Sequence, residues 1–188
     1  MTPDLRTDLA GDDINIEALS AWRGNQLLVG LRKPAAEDGH AQALLLDPAV
    51  PEAAPTPLLF DLGGRRFRDC VRIDDQHFLI LAGPKHDDDS DRKNKTKRPM
   101  FFWNGDLTSS EPIQPTRCRL DYGKLRAEGL CIRRKDQHGL EIFIGSDESA
   151  VDRRDPFKLR YATVSSIEQL LTDTIPTRKV RVELYGYD

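Results

Sequence analysis

Three carboxylates recur in one local setting. Glu17 precedes Ala18 and Leu19, Asp69 precedes Cys70 and Val71, and Glu128 precedes Gly129 and Leu130. Each acid is followed by a small residue, an aliphatic one, a polar turn and then a β-rich run: 26–30, 77–81 and 140–144. Carboxylates that a repeat brings to one axis can hold a hard divalent cation, Ca2+ or another, through oxygen ligands, and the side-chain carbonyl of Asn15 offers a further ligand. The same acids can instead accept hydrogen bonds from backbone N–H groups or from Arg32, Arg68 and Arg126, tying adjacent units together.

No second constellation competes with these acids. His40, His77, His86 and His138 stand in or beside turns, without an H-E-x-x-H spacing. The stretch 145–149 lacks the G-x-S-x-G order of a nucleophile elbow. Gly63-Gly64 lacks the Lys-Ser/Thr of a phosphate loop. The charged run from His86 to Arg98 holds four acids followed by five bases. It has neither the residue order of a helix–loop–helix calcium site nor the interleaved aromatics of a single-strand nucleic-acid groove, so Lys85–Arg98 is expected to be a solvated, mobile insertion.

The elements that must position the acids are strands. After each variable loop comes a third strand candidate (41–46, 100–103, 157–164) and then a fourth (57–62, 116–120, 179–185). Ser165 or Ser166 can cap one short helix at 167–171. Four antiparallel strands repeated every 50 to 60 residues or so describe a propeller blade, because a lone four-stranded sheet cannot bury both faces while stacked neighbours can. The expectation is an all-β, β-propeller-like single domain over 1–188, with three four-stranded antiparallel blades at about 12–63, 64–122 and 123–188, half of a six-bladed ring. A β-sandwich is the alternative.

Asn15-Ile16-Glu17-Ala18-Leu19 with Leu28-Val29-Gly30-Leu31-Arg32 resembles the recurring pattern of a bacterial family catalogued only as a domain of unknown function. Leu62-Gly63-Gly64 with Arg68-Asp69, the run 79–84, and Ala127-Glu128-Gly129-Leu130 are similar to other stretches of it. The resemblance implies a propeller-like fold, with this chain matching the C-terminal part, and no assigned activity.

Composition narrows the partners. Among 188 residues, 28 Lys and Arg stand against 31 Asp and Glu, a net charge of −3, so there is no uniform basic field for nucleic acid or an anionic membrane. No apolar run is long enough to span a bilayer, and the first residues lack the apolar core of a secretory signal. Cys70, Cys118 and Cys131 are an odd number without C-x-x-C spacing, as suits reduced thiols in a cytoplasmic protein. The expected function is a scaffold or ligand-binding module without a catalytic centre. The alternative is a divalent-metal-dependent hydrolase of small esters or lactones using the channel carboxylates. Three blades cannot close a ring alone, so either a homodimer completes six blades or N-terminal blades are missing.

Overall fold

Short apolar runs, broken every few residues by Gly, Asp or Pro, favour strands joined by tight turns over helices. The computed structural model describes residues 14–84, 98–108, 112–123, 125–136, 139–147 and 157–180. In it β1 (Asn15–Ala21), β2 (Leu27–Lys33), β3 (Ala41–Leu46) and β4 (Thr56–Phe60) form an antiparallel meander. A second meander follows from β5 (Arg66–Arg72), β6 (Phe78–Gly83), β7 (Met100–Trp103) and β8 (Thr116–Arg117). After the two-residue β9 (Leu120–Asp121) come β10 (Gly129–Asp136), β11 (Gly139–Asp147) and β12 (Phe157–Val164), then helix α1 (Ile167–Thr172), β13 (Ile175–Pro176) and β14 (Arg178–Val180). The third antiparallel sheet is β10-β11-β12-β14, and β9 pairs with β13 in parallel. The chain is all-β, and among the described residues none of the sheets closes into a barrel.

Burial shows how the sheets are layered. Every residue of β6 and β7 is buried, so the second sheet is covered on both faces. One core lies between the first and second sheets, where Trp22 stacks on Phe78 at 4.8 Å and on Trp103 at 4.9 Å, and Phe60 meets Phe67 edge-on at 5.3 Å. Such ring pairs add roughly 0.5–1.5 kcal/mol each beyond the area they bury. The other core joins Leu79, Leu81 and Met100 of the second sheet to Ile142, Ile144 and Val164 of the third. A small group, Val29, Leu31 and Leu44, lies on the opposite face of the first sheet.

Beside the fourth strands of the first two sheets, chain segments cross between sheets. Ile113 donates its N–H to Leu59 O at 2.7 Å and accepts from Asp61 N at 2.8 Å, which fastens the second unit to β4. Arg119 does the same for the next joint, donating to Leu170 O at 3.1 Å and accepting from Ile175 N at 3.0 Å. This explains why the expected fourth strand at 116–120 is split. After Cys118 N bonds to Met100 O at 2.8 Å, the chain leaves the second sheet and β9 pairs with β13. In α1, the Ser166 hydroxyl caps the helix by accepting from Gln169 N at 3.1 Å, and Leu170 is fully buried.

The expected strand at 179–185 is seen as β14 up to Val180, the rest falling outside the described residues. Of the charged insertion, 85–97 also lie outside them. Arg98, counted in that insertion, corrects the expectation of a solvated run: it is 2 % exposed. Burial is tolerable because its guanidinium has a carboxylate and a carbonyl within reach.

Candidate functional site

Glu17 lies on β1, Asp69 on β5 and Glu128 immediately before β10, and β5 packs against both β1 and β10. β1 and β5 begin with the same irregularity, and the chain entering β10 resembles it. Ile16 pairs with Leu31 and Ala18 with Gly30, skipping Glu17. Phe67 pairs with Ala82 and Asp69 with Leu81, skipping Arg68. In the third sheet Glu128 N donates to Gly145 O at 2.8 Å while Gly129 also pairs with Gly145. An extra residue of this kind re-aims side chains at a sheet edge. The bulge position is therefore Glu17, Arg68 and Glu128, and Asp69 matches Ala18 and Gly129. The sequence alignment that equated Asp69 with the two glutamates is displaced by one residue in the middle unit.

Each acid reaches across to another segment. Glu17 Oε1 accepts from Arg32 Nη1 at 3.1 Å, and both its oxygens lie 3.3 Å from Arg68 Nη1 on the second sheet. Asp69 Oδ1 accepts from Cys70 N at 2.8 Å, and its Oδ2 from Leu130 N of the third sheet at 2.6 Å. Glu128 Oε1 accepts from Arg98 Nη1 at 2.9 Å and lies 3.3 Å from Arg126 Nε, while Arg98 also donates to Ala127 O at 2.9 Å. Asn15 opens β1 opposite Lys33.

Burial raises the Asp69 carboxyl above its usual range, and the N–H groups of Leu130 and Cys70 pull it part of the way back. Burial lowers the Arg98 guanidinium, as does nearby Arg68, against the pull of Glu128. Among the described residues no three His, Cys, Asp or Glu side chains are grouped so as to hold a metal ion. A hard cation at Glu17 or Glu128 would have to displace an arginine already in place.

Two buried arginines escaped the sequence reading. Arg98 was hidden at the end of a charged run. Arg66 is 1 % exposed and donates to Gly39 O at 2.7 Å and to Arg65 O at 3.0 Å. Arg68, which the sequence did mark, left a second signal, a glycine inside a strand pattern. A Cβ on Gly83 would stand 2.6 Å from Arg68 Cγ, so that glycine clears a path for the arginine side chain.

The remaining candidates are structural. Burial pushes the Cys70 thiol far up and the Cys118 thiol up to about 12, which leaves neither as a ready nucleophile. His77 closes its turn through Nδ1 to Asp74 Oδ2 at 2.9 Å and stacks on Phe102. A depression of about 170 Å³ beside β7, lined by Trp103, Asn104, Ile113 and Thr116 among others, is smaller than the roughly 300–1,000 Å³ of ordinary ligand pockets. Among the described residues no helix is long and apolar enough to cross a membrane. Comparison with protein-family models, with curated proteins and with solved structures gave no match.

Proposed function

We propose that this chain is a propeller-like, non-catalytic module, a scaffold whose loops offer a binding surface while its inner strands are locked together by charge. The observation that supports this most is the use of all three acids across sheet joints: Glu17 with Arg68, Asp69 with the Leu130 amide, and Glu128 with Arg98. A carboxylate held this way is committed to structure, and ion pairing alone perturbs such groups without catalysis. Three free cysteines, two of them buried, fit a reducing cytoplasm. Thermal unfolding with chelator and then with excess Ca2+ tests the reading, and the expected midpoints are the same. A midpoint raised by many degrees in Ca2+, and no longer raised in Glu17→Gln or Asp69→Asn, would favour a metal-dependent hydrolase of small esters or lactones instead.

A further inference from the structure

The depression beside β7 is shaped by the connection that leaves that strand after Trp103 and enters β8 at Thr116. Both ends of this connection are held in place. Arg23 Nη2 donates to Gly105 O at 3.0 Å, and Trp103 Nε1 to Asp106 O at 3.3 Å. Asn104 Oδ1 accepts from Asp106 N at 3.1 Å, and Asp106 Oδ1 from Thr108 N at 2.8 Å. On the return side the Ile113 backbone is fastened to Leu59 and Asp61, and Thr116 pairs with Phe102 across the ladder. The walls are therefore set before any ligand arrives, which keeps down the ordering cost of binding.

The lining divides in two. Phe102, Trp103 and Ile113 are buried and make an apolar floor, while Asn104, Gln114 and Thr116 are exposed at the rim. With Asn104 Oδ1 taken by Asp106 N, that amide offers donors. The Gln114 amide and the Thr116 hydroxyl each both donate and accept. Among the described residues no Lys, Arg or His lines the cavity, so an anion finds no counter-charge. The one carboxylate, Asp106, is engaged by its own loop through Thr108 N and Oγ1. A volume of about 170 Å³ narrows the ligand rather than excluding one: a nucleotide or a peptide segment is too large, a single small ring is not.

We propose that this cavity binds one ring of a neutral sugar, its C–H face on the Phe102–Ile113 floor and its hydroxyls on Asn104, Gln114 and Thr116. Hydroxyl groups donate and accept alike, as a rim of two amides and a hydroxyl requires. A hydrocarbon of the same size would leave those rim groups without partners. The inference rests on the reading of the chain as a non-catalytic module whose loops bind, and it names the ligand class for one of those loops. A ring of about twelve heavy atoms held by so few contacts is expected to bind with a Kd of roughly 1–10 mM.

Nuclear magnetic resonance of the 15N-labelled 188-residue protein tests this, with the methyl glycosides of glucose, galactose and mannose as probes and acetate and methylammonium as charged controls. At least one glycoside should shift the side-chain amide signals of Asn104 and Gln114 saturably, and neither control should. Gln114→Leu should abolish the saturable shifts and Thr116→Val should weaken binding several-fold. Both positions are exposed, so the thermal midpoint should stay where it is. Three results overturn the inference: no saturable shift with any glycoside well above the expected Kd, shifts that survive in Gln114→Leu, or a charged control that competes with the glycoside. Unfolding midpoints with chelator and with Ca2+ read the module itself. No glycoside binding beside equal midpoints refutes this cavity alone, whereas glycoside binding beside a midpoint raised by Ca2+ keeps the cavity and refutes the module.

Discussion

Glu128 lies between two guanidinium groups, and one of them, Arg98, has almost no access to water. Neutralising the carboxylate strips a charged partner from a buried cation, a loss of about 2 kcal/mol. Glu128→Gln is therefore expected to lower the free energy of unfolding in urea by about that amount, whereas Glu141→Gln, against the mostly exposed Arg133, should change it by less than about 0.5 kcal/mol. Asp69 gives a pH signature. Its pKa is raised in the folded state, so its contribution to stability is fully present below the unfolded value near 3.8 and is lost as pH rises through the higher folded value. Asp69→Asn should flatten the stability-against-pH curve over that acidic interval, and an unchanged slope would show that Asp69 titrates normally. At this scale the sequence marked the acids and Arg32, Arg68 and Arg126 as partners. It could not show that Arg68, rather than Asp69, takes the bulge, because an extra residue in a ladder leaves no mark on composition. Nor could it show that the last arginine of a charged run turns inward.

The strands were legible because their apolar runs are short and bounded by turn residues: β3, β7 and β12 start and end where the pattern places them. The fourth strands were less so. An outer strand holds few buried side chains, and its end is decided by which neighbour offers the next hydrogen bond, as at Arg119. Gly30 shows how tightly two elements meet: a Cβ there would stand 2.6 Å from Phe67 Cγ and 2.8 Å from Ala18 Cβ. Neither neighbour is a flexible tip, so Gly30→Ala forces the first two sheets apart and should cost about 1–3 kcal/mol, measured by thermal unfolding. An unchanged midpoint would mean that β2 and β5 can separate freely.

The second sheet, buried on both faces, couples the whole molecule: neither outer sheet can lose its packing without exposing part of it. The all-β class follows from the turn-punctuated strand pattern, whereas how the sheets stack is not encoded in local sequence. Charges at the start of each sheet that bridge the joints hold the layers in register, and the Glu17–Arg68 pair is the plainest case, its partners 51 positions apart in sequence and on different sheets. A double-mutant cycle with Glu17→Gln and Arg68→Met, read by global unfolding in urea, measures it directly. The account predicts a coupling of about 1–3 kcal/mol. Effects that add to within about 0.3 kcal/mol would contradict it, since independent sites behave in that way.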